Sequence, residues 1–150
     1  IRLSRAPLVG RLGVQGLNLF ARAALRMAVC RRERMTPAVR AGLVAPYDSW
    51  ANRTAVYQFV ADIPLHDTHP SYPALAGIET GLAQFSGHPT CLIWGMRDWC
   101  FTPHFLERFC EFFPDAAVHR LPEAGHYVVE DASQEIIPIL EDFLKEGARA

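Results

Sequence analysis

The sequence predicts an α/β protein: a helical region over residues 1–86, followed over residues 87–150 by strand, helix, strand and helix of a parallel sheet. Three observations carry this. Apolar residues of the first region recur at helical spacing, and the period of two that marks a half-buried strand is absent there. Two short apolar runs come next, at residues 89–94 and 117–121. Each is bounded by Pro or Gly, has the length of a strand, and leads into a helical pattern, which makes the two strands parallel neighbours joined by a crossover helix.

The elements follow in chain order. Within residues 18–30, Leu19, Phe20, Ala23, Ala24 and Met27 form one stripe, with Arg22 and Arg26 a turn apart on another face. Thr36-Pro37 opens a second helix, Thr as N-cap and Pro in the first turn. Ser49 caps a third, which carries Trp50, Val56 and Phe59 and breaks at Pro64. Residues 67–73 are turn-rich, and helix returns over 74–85. Residues 89–94 read as a strand buried on both faces. Thr102-Pro103 opens the next helix, with Phe105, Leu106, Phe109, Cys110 and Phe113 as its apolar stripe and Pro114 as its stop. Residues 117–121 are the second strand, and Glu123-Ala124-Gly125 is a turn. The last helix starts near Ala132, capped by Asp131, with Ile136, Ile137, Leu140, Phe143 and Leu144 facing inward. Pro138 lies inside it and should kink it or cost about 3 kcal/mol.

Half of the 150 residues are hydrophobic and 21% are charged, an ordinary globular composition. A net charge of −1 gives no global field for nucleic acid. The charge is nonetheless uneven: residues 1–40 hold nine Arg against one acid, Glu33. That pattern reads as a basic face of a helical layer, with a membrane-surface helix as the sharper alternative. The most apolar early stretch, residues 17–29, is too short to span a bilayer and is broken by Arg22 and Arg26. No signal peptide is visible. Cys30, Cys91, Cys100 and Cys110 form no C-x-x-C pair and read as reduced, buried thiols. A cytoplasmic protein with no nucleic-acid or membrane partner is therefore expected. His66-x-x-His69 has no third ligand beside it, so no metal site is expected. The first residue is Ile rather than Met, which suggests a truncated chain.

Two loops carry chemistry, each leaving the C-terminal end of a predicted strand, where open α/β sheets present ligands and catalytic groups. The first is Trp94-Gly95-Met96-Arg97-Asp98-Trp99, in which Gly95 allows a sharp exit from the strand. The second is Glu123-Ala124-Gly125-His126-Tyr127, in which Gly125 permits a turn that aims the ring of His126 over the sheet edge. Neighbouring strands lie about 5 Å apart, so the two side chains can meet. A carboxylate that accepts from a histidine N–H fixes the ring's tautomer and stabilises the imidazolium formed in turnover. Asp98 and His126 are thus the candidate catalytic residues. Trp99 either shields Asp98 from water or packs. Tyr47, Trp50, Tyr57 and Tyr72 either line a substrate pocket or belong to a helical core. Glu130 is read as a structural brace for the second loop or for the last helix.

The string strand–Trp94-Gly95-x-x-Asp98–x₄–Pro103, then strand–Gly125-His126–x₃–Glu130, resembles the closing segment of α/β-hydrolase fold enzymes, over residues 88–146. In that family the nucleophile comes first, then the acid, then the histidine. The upstream region resembles the helical cap inserted before this segment. Ala45-Pro46-Tyr47 through Ile63-Pro64, with Arg53 between, is similar to the cap of the haloalkane dehalogenase and epoxide hydrolase branch. The stretch from Trp94 to Phe101, with that from Gly125 to Asp131, is similar to the β-lactone decarboxylases of bacterial long-chain olefin synthesis.

The resemblance implies a partial α/β-hydrolase fold, a nucleophile–acid–histidine triad, a small hydrophobic substrate and no cofactor. One departure is large. Ser49, Ser71 and Ser86 lack the glycines of a nucleophile elbow, and no G-x-S-x-G or G-x-D-x-G string occurs. The nucleophile, the oxyanion loop and the first strands are therefore expected upstream of residue 1, in a missing N-terminal half, and residues 1–150 alone are expected to be inactive. In a dehalogenase-like enzyme an Asp nucleophile would form an ester that His126 hydrolyses; a Ser would make an esterase or lipase. A non-catalytic remnant, or a subunit completed by another chain, is the alternative.

Overall fold

A computed structural model describes residues 7–147. Arg2 and Arg5 of the basic N-terminal region lie outside them. The chain forms two compact units. One holds Met35–Glu79 with the residues up to Met27; the other holds Ala28–Arg34 and the residues from Thr80 onward.

The first unit is helical. α1 (Pro7–Gly10) runs into a wider π-type stretch, Arg11–Gly16. The chain then reverses at Asn18, whose φ of 54° is left-handed, a conformation Asn tolerates better than most residues. α2 (Leu19–Met27) follows. α3 (Pro37–Val44) opens as predicted: the Val39 amide donates to Thr36 Oγ at 3.3 Å, and Pro37 needs no N–H at the first helical position. α4 (Thr54–Asp62) starts later than the sequence predicts. The Asn52 amide donates to Ser49 Oγ at 3.2 Å, so Ser49 closes a local turn instead of capping the helix. Ile63 leaves the helical region at ψ 116°, as a residue before proline must, and Pro64 ends α4. α5 (Tyr72–Gly81) ends two residues past Glu79, the last residue of this unit, and the chain continues in the second unit as a 3₁₀ segment, Leu82–Phe85.

Two buried amides join the loops of the first unit. Gln15 Nε2 donates to the Trp50 carbonyl at 3.0 Å and to Thr54 Oγ1 at 2.7 Å. Asn18 Nδ2 donates to the Tyr47 carbonyl at 3.1 Å. Arg53 adds a third tie, from Nη1 to the Gly16 carbonyl at 2.6 Å. The donor groups of these side chains thereby find partners that lie far away in sequence, while Asn18 Oδ1 has none among the described residues.

The second unit holds the sheet. β1 (Cys91–Gly95) and β2 (Ala117–Leu121) are parallel, paired from Cys91↔Ala117 to Gly95↔Leu121. α6 (Pro103–Phe112) lies on the crossover between them. Leu121, Ala124, Ala132 and Ile136 form a buried cluster against which Ile93 and Val128 pack. Burial on both faces, expected for β1, is not reached: Cys91 to Trp94 are half-buried and only Gly95 is buried. Among the described residues the sheet has two strands, too few to cover their own faces. The thiols expected to be buried follow suit. Cys30 is exposed, and Cys91, Cys100 and Cys110 are half-buried and free.

Within Val128–Gly147 (α7) the backbone is non-helical at Ala132 (φ −135°, ψ 29°), so the long final helix starts near the predicted residue, preceded by a short turn of helix. Pro138 is exposed, so the carbonyl it deprives of a partner can turn to water. Of the apolar stripe predicted to face inward, Ile136 is buried and Phe143 half-buried, whereas Ile137, Leu140 and Leu144 are exposed. No helix among the described residues is long and apolar enough to cross a membrane.

Candidate active site

The register of the sheet builds the site. Gly95 and Leu121 are partners at the C-terminal ends of β1 and β2, so both following loops leave from one edge. Three backbone bonds shape the first loop and join it to the second. The Met96 amide donates to the Leu121 carbonyl at 3.0 Å, the Arg97 amide to the Ala124 carbonyl at 3.0 Å, and the Asp98 amide back to the Gly95 carbonyl at 3.1 Å. This close approach requires glycine at 95. A Cβ there would lie 2.7 Å from the Ala124 carbonyl oxygen and closer still to that of Gly125.

Asp98, thus aimed, is 9% exposed. Its Oδ1 accepts from the amides of Cys100 at 2.7 Å and Phe101 at 2.9 Å, a turn that its own side chain closes. Its Oδ2 lies 2.9 Å from His126 Nδ1. A carboxylate can only accept, so Nδ1 carries the proton. In the neutral ring Nε2 then keeps its lone pair. The ring is flanked by aromatic neighbours: Phe101 at 5.3 Å between centroids, Tyr127 at 6.0 Å and Trp99 at 6.3 Å. Trp94 Nε1 donates to the Phe101 carbonyl at 2.8 Å and fixes the end of the first loop. Arg97 and Glu123 pair at 2.7 Å across the two loops; both are exposed, so the pair adds little stability.

Two further residues emerge from the structure. Phe101 lies against His126, and its position directly after the Asp98 turn was the available signal. Asp131 is the second. Rather than capping the downstream helix, its carboxylate accepts from the amides of Gly125 at 2.7 Å, Arg31 at 2.8 Å and Cys30 at 3.0 Å. The described contacts therefore make Asp131, not Glu130, the brace of the His126 loop. Trp99 is exposed beside the His126 ring. The thiol of Cys100 titrates above the ordinary range, because burial and the nearby charge of Asp98 both penalise the thiolate.

The other sequence candidates sit in the first unit. Tyr47 and Trp50 give their carbonyls to Asn18 and Gln15. The Trp50 indole lies under the Arg11 guanidinium, 5.7 Å from the ring centre. Tyr57 on α4 is half-buried, and Tyr72 at the start of α5 is exposed. His69 Nδ1 accepts from the Ser71 amide at 3.2 Å. Among the described residues no three His, Cys, Asp or Glu side chains are grouped as metal ligands.

The sequence pattern described as the α/β hydrolase fold matches residues 27–133, which include both loops and both strands. The chain belongs to the α/β-hydrolase fold family. Its relatives within that family are enzymes. A cis-3-alkyl-4-alkyloxetan-2-one decarboxylase of Shewanella oneidensis is 38% identical, over 96% of this chain and 45% of the relative. Haloalkane dehalogenase 2 of Mycobacterium bovis is 32% identical, over 75% of the chain and 43% of the relative. Among solved structures, an ancestral haloalkane dehalogenase superposes with a TM-score of 0.87 at 25% identity, covering 99% of this chain and 51% of that one. The dehalogenase DbeA of Bradyrhizobium elkani shares the fold, with a TM-score of 0.82 at 23% identity over 99% of this chain and 51% of that one. The chain thus spans about half the length of the curated relatives it matches. What it contains is a partial α/β-hydrolase fold.

Proposed function

We propose that residues 1–150 supply the acid and the histidine of an α/β-hydrolase fold enzyme whose nucleophile is an Asp in the part of the fold they do not contain. The observation that carries this reading is the 2.9 Å contact between Asp98 Oδ2 and His126 Nδ1 at a shared sheet edge. The nucleophile's carboxylate attacks a saturated carbon, a leaving group departs with the bonding pair, and an ester forms. With a halide as leaving group, His126 Nε2 then takes a proton from water, whose oxygen attacks the ester carbonyl; Asp98 stabilises the imidazolium this creates, which passes its proton to the departing alkoxide as the Asp is freed. With a ring oxygen as leaving group, the carboxylate set free by ring opening leaves as carbon dioxide, the pair of its C–C bond forms the alkene, and the C–O bond to the Asp breaks to return the nucleophile. Residues 1–86 serve as the cap, with Tyr47, Trp50, Tyr57 and Tyr72 as candidates to line the side that receives a small hydrophobic substrate, and residues 87–150 form the rest of the core. Without the remaining half this chain turns nothing over.

Two leaving groups fit. A ring oxygen, as in an alkyl-substituted oxetan-2-one, is favoured, because the decarboxylase relative matches over 96% of the chain against 75% for the dehalogenase. A halide is the second reading, supported by the structural relatives at 25% identity. Offering both substrates to the intact protein separates them: alkene and carbon dioxide appear in the first case, halide ion in the second. His126→Gln in the intact protein tests the triad itself. With a haloalkane probe the added mass of an alkyl ester should persist on the protein, whereas turnover at the normal rate would refute the role of His126.

A further inference from the structure

His126 is held from both sides by bonds that the chemistry above does not use. The amide before it, Gly125 N–H, donates to Asp131 Oδ2 at 2.7 Å. The amide after it, Tyr127 N–H, donates to the Ala28 carbonyl at 2.8 Å. Asp131 is fully buried, and the same carboxylate receives the amides of Cys30 and Arg31. Arg31 also reaches back from Nη1 to the Asp131 carbonyl at 3.1 Å and to Glu135 at 2.7 Å. A buried carboxylate is costly unless each oxygen is well supplied with donors, and here backbone amides supply it. Space is tight as well: a Cβ on Gly125 would lie 2.9 Å from Cys30 Sγ and 3.1 Å from the Ala28 carbonyl oxygen.

We infer that Asp131 is a positioning residue for His126. Acting through the Gly125 amide, it bolts the His126 loop to Ala28–Arg34 and so sets where Nε2 points. This rests on the reading of His126 as the base. A displacement of about 1 Å at a reacting group can cost about 100-fold in rate. The cost should fall on one step alone. With a haloalkane, ester formation needs no base and governs kcat/KM, whereas ester hydrolysis needs His126 and governs kcat once it becomes slow.

The test is Asp131→Asn in the intact protein, nearly isosteric but presenting an amide NH₂ to backbone donors. Steady-state kinetics with a haloalkane probe are combined with intact-protein mass measurement. The expected result is a kcat reduced about 100-fold, KM reduced in parallel, kcat/KM nearly unchanged and ester accumulating on the protein. Equal losses in kcat and kcat/KM without ester, or unchanged kinetics, would overturn the inference. Normal turnover in His126→Gln would instead sink the reading beneath it, so the two failures are distinct. Should Asp131→Asn not fold, amide hydrogen exchange in the unaltered protein decides: the Gly125 amide should exchange as slowly as those of β2, and rapid exchange would refute the tether.

Discussion

The two compact units solve the same problem with different chemistry. In the first, the buried polar side chains are the neutral amides of Gln15 and Asn18; in the second, they are the carboxylates of Asp98 and Asp131. Both sets tie loops together through backbone groups. An amide does so at little electrostatic cost, since it can donate and accept without charge. A buried carboxylate must instead be compensated by several donors, and it becomes useful where a neighbour acquires positive charge during a reaction. Asp98 meets an imidazole, whereas among the described residues Asp131 accepts from backbone amides. The comparison teaches that the first unit buries neutral amides to join its loops, while the second buries charge, in one case against an imidazole, which is the arrangement the proposed proton transfer requires.

The sharpest way to break the comparison is Asp98→Asn. In the intact protein kcat should fall about 10⁴-fold with the fold retained, since the ring loses the acceptor that selects its tautomer; steady-state kinetics beside circular dichroism check this. Next in size is Gly95→Ala, which should cost about 3 kcal/mol in urea unfolding because backbone, not a flexible side chain, blocks the new methyl. Gln15→Ala should cost about 2 kcal/mol by removing two hydrogen bonds, with kcat unaltered. A drop in kcat comparable to that of Asp98→Asn would erase the distinction between the units. The smallest effect concerns Cys100. Because its folded pKa is raised, iodoacetamide should label it more slowly than a free thiol at neutral pH, with the rate climbing only at higher pH; Asp98→Asn should move that profile to lower pH by removing the negative charge.

The Asp98–His126 pair was legible in the sequence because all its determinants are local. Pro89 and Gly95 bound one strand, residues 117–121 make the other, and each catalytic candidate follows within a few positions. The parallel register then brings them together. The role of Asp131 was not legible, since the amides it receives at Cys30 and Arg31 lie about a hundred positions away and leave no trace in a local pattern. Ser49 misled for a related reason. A serine ahead of an apolar stretch satisfies the cap signal whether the helix starts directly after it or, as here, at Thr54. The stripe of α7 marked a face suited to burial, but periodicity says nothing about whether a partner lies against it: Ile136 found one among the described residues, while Leu140 and Leu144 are exposed.

The excursion of Ala28–Arg34 into the second unit has a practical outcome for anyone recombining such proteins. The backbone passes between units at three places, so the helical region is no detachable module. A chimera made by a single splice near residue 80 would import foreign donors for Asp131 together with the foreign helices. Grafts that keep the native seven-residue insert, and exchange only the stretches on either side of it, are the ones in which the His126 loop retains its anchor.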